Sequence, residues 1–541
     1  MSAVTRDHLL RAAVDIGAHG DNDTLPFDVD NTFIKEQQNS LVDLAYDFSC
    51  ELAQNTAKSA KNIIESATIF SERLLTPSGP SGFRIVTKLH PFWSIYYNGL
   101  AVAIAEVLEP TRSDRAHSYR YTSTGPDLFL RDASWRAFRL ATIAEPYQTE
   151  AVIVQTDIAS FYEHVSHHRL ENRINDLFPQ DPTVAVQVDR ILNRLAAGRS
   201  FGLPVGGQGS RVLAEALLTL IDQQLDDAGL QWRRYVDDFV LISNSHADAY
   251  RALSLLSNAL ADYGLTLNRT KTAVLSATHY RDYVRAQLGL TEEEGHKLLE
   301  IDLHFDPYSD DPHTDFEELK DVVESLDISK LLDIELSKSQ PDSFLVSQIS
   351  RTLRLHDPSV ALQLCKTLLL PKTLHAFRAS WSTLMRGVSA VRADESFKDI
   401  FTGLDALLDA IPTHSSHLLM AEASSLHYLR TLRFLRTKER AEYVRHAYSE
   451  TRSQTLRRGC IDCWRQWGDR PSFTRERNQW NALASEEQRM LWFSASKFGD
   501  EGTKFRGQVR QSVAHGWKLG IERGQKPTFA SVFMDWGEAN G

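Results

Sequence analysis

The sequence predicts an α+β fold followed by an all-α region, and two patterns predict this. From about residue 83 to about residue 290, short β-branched or aromatic runs alternate with helical patterns, as in a domain of mixed strands and helices. After about residue 344, apolar residues recur at helical spacing and strand patterns are few. Because 541 residues exceed one ordinary domain, we expect an N-terminal helical region (1–80), an α+β domain (81–290), an acidic connector (291–345) and a helical C-terminal domain (346–541), in which a helical-repeat array is one alternative.

The composition is that of a soluble globular protein, with 42% hydrophobic and 24% charged residues. No apolar run approaches the roughly 18 residues of a membrane span, and the N-terminal residues lack the apolar core of a signal peptide. Four cysteines exclude a disulfide scaffold and favour a reducing compartment. We therefore expect a cytoplasmic protein without a membrane partner.

Charge is distributed unevenly along the chain. Residues 292–342 carry 17 acidic and 4 basic side chains, whereas residues 430–526 carry 21 basic and 11 acidic ones. The acidic segment cannot lie against phosphate. The basic segment is either a contact surface for nucleic acid or a solvated helical face.

The N-terminal region contains one clear helical pattern and one cluster of helix breakers. Its apolar residues recur at three-to-four spacing and are Leu41, Leu44, Ala45, Phe48 and Leu52. The Pro-, Ser- and Gly-rich segment 76–82 predicts a domain boundary.

Carboxylates follow or interrupt two strand-like segments of the α+β region. Asp157 ends an apolar run, and Asp237 and Asp238 lie between two strand-like halves, as at the tip of a β-hairpin. Close carboxylates resist joint ionisation unless cations bind them. Oxygen ligands of this kind suit Mg²⁺, with Mn²⁺ as an alternative, and two such ions can activate an attacking hydroxyl and stabilise a leaving phosphate oxygen.

Two further segments lie between and after these carboxylates. Four glycines within residues 201–210 precede a strongly helical run, and they either let the backbone approach a nucleotide or form an ordinary turn. Ser210 is a suitable helix N-cap, and the ending of a phosphate-binding P-loop is absent. Lys271 either neutralises a triphosphate and protonates departing pyrophosphate or is an ordinary surface lysine.

In this order the segments resemble the palm motifs of reverse transcriptases. The strand with Asp157 is similar to the first motif, Gly202-Leu-Pro-Val-Gly-x-x-x-Ser210 to the second, Tyr235-Val-Asp-Asp238 to the third, and Gly264-Leu-x-Leu-Asn-x-x-Lys271 to the fourth. The wording Asp-Ile-Ala-Ser-Phe-Tyr-Glu-His resembles that of bacterial abortive-infection and defence-associated reverse transcriptases most closely. The resemblance covers about residues 80–290 and implies fingers and a palm, with helices packed on an antiparallel sheet.

The resemblance assigns a role to each matched position. Asp157, Asp237 and Asp238 would hold two metal ions, and Lys271 would assist catalysis. Tyr162 would be the steric gate that rejects a 2′-hydroxyl, whereas Phe161 would point into the core. The residues that would bind the dNTP are Tyr162, Arg120, Gly202, Pro204, Val205, Gly206 and Ser210, with Lys88 and Arg84 as weaker candidates for the fingers cation.

The implied function is a DNA polymerase that adds dNTPs in antiphage defence. Many templated relatives have glutamine where this chain has Val205, and the abortive-infection enzymes include ones that work without a template and prime from a tyrosine, for which Tyr46, Tyr96 and Tyr97 are candidates. The implied partners are dNTPs, a single-stranded DNA product (free or attached through a tyrosine), a non-coding RNA, and further copies of the chain in a trimer or hexamer. The alternatives are a catalytically silent nucleic-acid-binding scaffold, copying of a partner RNA into cDNA, and synthesis of RNA.

Several other features favour ordinary structural roles. Cys460 and Cys463 have zinc-like spacing but no second ligand pair nearby. His164, His167 and His168 favour a hydrated helix face. The C-terminal tryptophans favour an inter-helix core over base stacking, and they include Trp464, Trp467, Trp480, Trp492, Trp517 and Trp536.

Overall fold

The structure is a computed structural model that describes residues 2–79, 82–130, 133–144, 150–288, 328–337, 343–522 and 527–540. Most of the predicted acidic connector, together with much of its charge, therefore lies outside the described residues. No helix in these ranges is long and apolar enough to cross a membrane.

The N-terminal region is helical, as predicted. It consists of α1 (Arg6–His19), α2 (Val29–Glu36), α3 (Gln38–Ala53) and α4 (Ala57–Ser66). The predicted amphipathic helix is α3, whose buried face includes Leu41, Ala45, Phe48 and Leu52. The pattern is confirmed because these residues fall on one side of a helix.

The described residues of segment 76–82 include the facing ends of two paired strands. Strand β1 (Ser71–Ser78) pairs antiparallel with β2 (Gly82–Leu89), and Ser78 is the register partner of Gly82. Proline and glycine mark the end of a strand as well as the end of a domain, so composition alone does not separate the two. After the hairpin, α5 (Pro91–Leu108) is buried along most of its length.

A second, antiparallel sheet carries the predicted strands. Its strands are β3 (Val152–Asp157), β4 (Gln231–Tyr235), β5 (Asp238–Ser243) and β6 (Ala273–Ser276), in the order β4-β5-β3-β6. The helices around it are α6 (Trp135–Ala144), α7 (Phe161–His164), α8 (His167–Leu177), α9 (Thr183–Leu195), α10 (Gln208–Asp227), α11 (His246–Ala261) and α12 (Ala277–Gln287). The predicted fold class, helices packed on antiparallel strands, is confirmed.

The C-terminal region is helical, and the described residues beyond 288 contain no strand. Its helices are α13 (Ile328–Ser337), α14 (Ser343–Thr352), α15 (Pro358–Leu368), α16 (Pro371–Ala376), α17 (Trp381–Ala393), α18 (Phe401–His414), α19 (Glu422–Leu432), α20 (Lys438–Glu450), α21 (Gln454–Trp467), α22 (Arg470–Asn478), α23 (Ser485–Ser494), α24 (Gly499–Gly516) and α25 (Phe529–Asn540). The predicted tryptophan core is confirmed, because Trp464, Trp480, Trp492, Trp517 and Trp536 are all buried. Trp467 is partly buried against the core.

Two large apolar clusters organise the molecule. One contains residues from α1, α3, α5 and α10 together with residues from α21, α23 and α25. The other lies among the helices between residues 332 and 432. The first cluster joins both ends of the chain, so the N-terminal helices and the last C-terminal helices stabilise the same body as the strands.

Many arginines of the basic segment are paired inside the protein. Arg458 and Arg489 form ion pairs with Asp30 of α2, and Arg440 pairs with Asp405 and Asp409. The net charge of this segment therefore overstates the positive charge that it presents to solvent.

Candidate active site

The sheet brings the first and third acidic motifs together. Asp157 is the last residue of β3 and Asp238 is the first residue of β5. They are direct partners in the antiparallel register, which places side chains on one face about 5 Å apart at Cβ. Asp237 occupies the turn between β4 and β5, where its carbonyl accepts a hydrogen bond of 3.2 Å from the Ile158 amide. Carboxylates some 80 residues apart in sequence thus meet at one sheet edge.

Burial and mutual repulsion act on these carboxylates. Burial, with the nearby charge of Asp238, raises the pKa of Asp237 to about 6. Burial also raises the pKa of Asp238, and Asp157 adds to that effect. Asp157 is 5% exposed, and its Oδ1 is buried without a hydrogen-bond partner. Such a set of charges favours the binding of a cation.

Lys271 lies beside the first carboxylate. Its Nζ donates to Asp157 Oδ2 at 2.5 Å, and the Asn268 amide donates to the Asp157 carbonyl at 2.8 Å. The hydrogen bond to the Asp157 carboxylate raises the pKa of Lys271. The lysine side chain remains 67% exposed. The fourth motif therefore places a lysine beside the acidic cluster, and most of the lysine side chain stays exposed.

The aromatic residues after Asp157 point in different directions. Phe161 is 2% exposed and packs in the core, as predicted. Tyr162 is only partly buried, and its carbonyl accepts a hydrogen bond of 2.8 Å from the Leu203 amide. Burial raises the pKa of Tyr162 well above its ordinary value, and the charge of Asp237 adds to this effect. Tyr162 thus lies between the second motif and the carboxylates.

The glycine-rich segment is filled by other parts of this chain. Gly206 has φ +119°, and a Cβ there would lie 2.1 Å from the side-chain nitrogen Nδ2 of Asn22. A Cβ at Gly209 would lie 2.7 Å from the ring of Tyr97. Close approach is therefore the reason for these glycines, and in this structure the approaching groups are protein side chains.

The expected capping role of Ser210 is wrong. Helix α10 begins two residues earlier, with Gly207 at the N-cap. Ser210 is buried, and its hydroxyl donates to the Pro204 carbonyl and lies 2.9 Å from the Tyr97 hydroxyl. The helix starts earlier because Gly207 takes the extended N-cap conformation without a side-chain cap, which leaves Ser210 to fix the preceding loop.

A family model described as reverse transcriptase (RNA-dependent DNA polymerase) matches residues 86–298. Residues 86–298 are a reverse transcriptase domain. The domain makes this chain a nucleotidyltransferase of the RNA-directed DNA polymerase type, and such domains bind dNTPs and nucleic-acid templates and use divalent metal ions. The resemblance to abortive-infection enzymes stays a prediction.

Other comparisons add little. The solved structures that match include telomerase from Candida albicans in complex with a TWJ fragment of telomeric RNA, at 13% identity and a TM-score of 0.30, covering 67% of this chain and 68% of that chain. They also include apo telomerase from Candida Tropicalis, at 14% identity, the same coverages and the same TM-score. Likeness at this level says nothing about the function of this chain. No curated protein matches it.

The carboxylates of the reverse transcriptase domain are suitable ligands for a divalent cation but do not form a complete coordination site. Among the described residues, no group of three or more His, Cys, Asp or Glu side chains is arranged to hold a metal ion. The unpartnered Asp157 Oδ1 is the donor that fits a metal ion at this place.

A buried charge network supports the hairpin that carries Asp237 and Asp238. Arg234, which is fully buried, donates to both Asp222 oxygens at 2.7 and 2.6 Å. It also donates to both Glu215 oxygens at 3.0 and 2.8 Å. The sequence signal for this network is the pair of acids seven residues apart in an apolar helix.

Two of the predicted fingers cations, Arg120 and Lys88, are paired with carboxylates away from the acidic cluster. Arg120 donates to Glu109 Oε1 at 2.5 Å and to the Ser113 carbonyl at 2.8 Å. Lys88 is 2% exposed and pairs with Asp21 and Asp28 at 3.0 Å. These contacts fix the fold around the site and leave neither cation directed at the carboxylates, whereas Arg84 is exposed on β2.

A cavity of about 270 Å³ adjoins the second motif. It lies between the β1–β2 hairpin and the second motif, and its lining includes Gly202, Leu203, Pro204 and Val205. The predicted nucleotide-binding residues Gly202, Pro204 and Val205 therefore border open space, while Gly206 and Ser210 are packed against protein.

Three histidines follow Tyr162, and one of them, His167, does not lie on the hydrated face that we expected. His167 is 2% exposed, and its Nε2 lies 2.7 Å from the Gly202 carbonyl. The start of a new helix at residue 167 turns it inward. His164 and His168 are exposed. Cys460 and Cys463 are both buried, and Cys463 Sγ donates to the Leu429 carbonyl.

Asp237→Asn is expected to increase the free energy of unfolding at pH 8 by about 1–2 kcal/mol after allowance for solvent screening. The folded-state pKa of about 6 exceeds the ordinary 3.8, so ionisation of Asp237 opposes folding. The penalty is absent below about pH 4 and complete above about pH 6. Urea unfolding in EDTA, at pH 8 and below about pH 4, measures this penalty. Asp227→Asn, at an exposed position, is the control. Equal stabilisation at both pH values would contradict this origin.

Proposed function

We propose that this chain is a DNA polymerase that adds dNTPs by two-metal nucleotidyl transfer. The observation that carries the proposal is the cross-strand pairing of Asp157 with Asp238, with Asp237 in the adjoining turn. Asp157, Asp237 and Asp238 would hold the two Mg²⁺ ions, or Mn²⁺ in their place. When bound, such ions activate the attacking hydroxyl and stabilise the leaving oxygen.

The residues of the chain then divide the work. Asp157 and Asp238 would hold the ions that position the reacting phosphate, and the Arg234 network supports the hairpin that carries Asp237 and Asp238. Lys271 leaves Asp157 and donates a hydrogen bond, or a proton, to the departing pyrophosphate. Tyr162 closes the space below the sugar, and the segment from Gly202 to Val205 borders the cavity for the base.

Incorporation of labelled dNTPs by the purified full-length protein tests this function. The wild type is compared with Asp237→Ala combined with Asp238→Ala, and with the control Asp227→Ala, whose side chain is exposed at the end of α10. We expect product from the wild type and the control only, and no product in EDTA. Equal signal from the double variant would exclude catalysis by this site.

Tyr162→Ala is expected to relax sugar selection. The smaller side chain leaves room for a 2′-hydroxyl, so we expect the preference for dNTP over NTP to fall by about tenfold or more, which equals about 1.4 kcal/mol. Incorporation of dATP and ATP, each measured as kcat/KM, checks this. Phe161→Leu, a change at the buried neighbour, is the control. An unchanged preference would contradict the gate and would reopen RNA synthesis as an alternative.

The biological role that we propose is antiphage defence, because the motif wording resembles that of abortive-infection reverse transcriptases. Priming from a tyrosine, untemplated synthesis and assembly into trimers or hexamers belong to the same proposal.

The hydroxyls of Tyr96 and Tyr97 are held by Gln187 and Ser210 in the core, which favours Tyr46 among the three candidate primers. Sequencing of co-purifying nucleic acid separates DNA attached to the protein from a discrete RNA template.

One observation favours a catalytically silent scaffold as the second candidate. Lys271 already neutralises Asp157, and a permanent ion pair there would replace a metal ligand. In that case the protein would bind nucleic acid in a gel shift, and the wild type and the double aspartate variant would both lack incorporation.

A further inference from the structure

The guanidinium of Arg211 lies where the reverse transcriptase domain meets the N-terminal region. Its Nη2 forms an ion pair with Asp23 Oδ2, and its Nη1 donates to Gln208 Oε1 at 2.7 Å. Its Cζ lies 5.0 Å from the centroid of the Tyr119 ring, in cation–π geometry. The Arg211 side chain is 23% exposed. The Arg211 side chain is therefore more exposed than that of Lys88.

Arg211 is also close to the candidate active site. The Tyr119 ring lies 6.3 Å from that of Tyr235, and Tyr235 pairs with Asp238 in the hairpin. Arg211 and Asp237 have opposite effects on the pKa of Tyr162, which Arg211 lowers and Asp237 raises. The charges of Arg211 and Asp237 thus both act on the hydroxyl of Tyr162.

Asp23 reaches this position from outside the matched domain. Its amide donates to the Gly206 carbonyl at 2.9 Å, and the neighbouring Asn22 side chain donates to the Val205 carbonyl at 3.2 Å. These bonds hold the segment on the second motif. Yet Asp23 Oδ1 is buried without a hydrogen-bond partner, which makes this carboxylate a poorly satisfied anion.

We propose that Arg211 binds the phosphates of the incoming nucleoside triphosphate, and that Asp23 occupies this anion position until the nucleotide displaces it. The inference rests on the proposed function, because it names the group that receives its substrate. A guanidinium pairs with phosphate through two parallel hydrogen bonds, and a triphosphate carries more charge than one carboxylate. Arg120 is committed to Glu109, so Arg211 is the better-placed arginine.

Equilibrium binding of a fluorescent α,β-imido analogue of dATP, which cannot be incorporated, tests the proposal on full-length protein in Mg²⁺. Arg211→Gln is expected to weaken binding at least tenfold, and Arg211→Lys less. Asp23→Asn is expected to tighten binding three- to tenfold, because it removes the competing anion. Inorganic tripolyphosphate should displace the analogue from the wild type more readily than from Arg211→Gln.

Asp43→Asn is the matched control, since Asp43 pairs with Arg6 on the surface and should leave affinity unchanged. Thermal unfolding shows that each variant is folded. Unchanged affinity in folded Arg211→Gln would overturn the proposal, and so would weaker binding in Asp23→Asn. Protein that binds the analogue as expected but never incorporates dNTP would contradict the proposed function and leave this inference standing.

Discussion

Asp157→Asn is expected to reduce dNTP incorporation at least about a thousandfold, which equals about 4 kcal/mol of transition-state stabilisation. The amide keeps the shape of the carboxylate but removes one negative charge from the pair with Asp238. It also releases Lys271 from its 2.5 Å contact. Single-turnover incorporation with saturating dNTP and Mg²⁺ measures the loss.

The fold should survive this change, because it removes repulsion from the acidic cluster. The free energy of unfolding of Asp157→Asn should therefore equal or exceed that of the wild type. Asp227→Asn, an isosteric change outside the site, should retain full incorporation. Incorporation within tenfold of the wild type would contradict a role for Asp157 in holding metal.

Asp30→Ala is expected to decrease the free energy of unfolding by about 3–5 kcal/mol, because it leaves buried arginines without their partner. Asp30 is 2% exposed and binds Arg489 through both oxygens, at 2.7 and 3.1 Å, and Arg458 at 2.7 Å. Burial alone would raise the pKa of Asp30, but Arg458, Arg489 and Lys88 lower it well below its usual value. The pairs therefore stabilise the fold at neutral pH and lose this effect only in strong acid.

Urea unfolding followed by circular dichroism measures this loss. Asp43→Ala is the control, because it removes another aspartate–arginine pair of the N-terminal region, with Arg6, but from the surface. An exposed pair is worth about 0–1 kcal/mol. Similar losses in both variants would contradict the buried network as the link between α2 and the C-terminal helices.

Local patterns accounted for the strands and for the acids at their ends. Short β-branched or aromatic runs predicted β3 and the β4–β5 hairpin, and the hairpin tip located Asp237 and Asp238. Only long-range pairing brings Asp157 to Asp238, and the motif order supplied that expectation by resemblance. The same resemblance assigned Arg120 to the triphosphate, where the structure gives it Glu109 as partner.

Long-range contacts could not be read from sequence because they depend on which segments pack together. Lysine is usually a surface residue. Lys88 is nevertheless buried and pairs with two aspartates of the N-terminal region. Ser210 fits a cap by type, but the helix begins before it. Segment charge likewise overstated the free basic surface, since the partners of Arg458 and Arg489 include Asp30, more than 400 residues away.

By itself the sequence determined the fold class, the helical C-terminal region and the three acids, because β-branched and aromatic runs, helical spacing and turn residues act over short distances. The tertiary structure alone decided which cations stay available to a ligand. A charge that finds a partner across the core is withdrawn from solvent, as for Lys88, whereas Lys271 keeps exposure beside Asp157 and Arg211 keeps partial exposure beside Asp23.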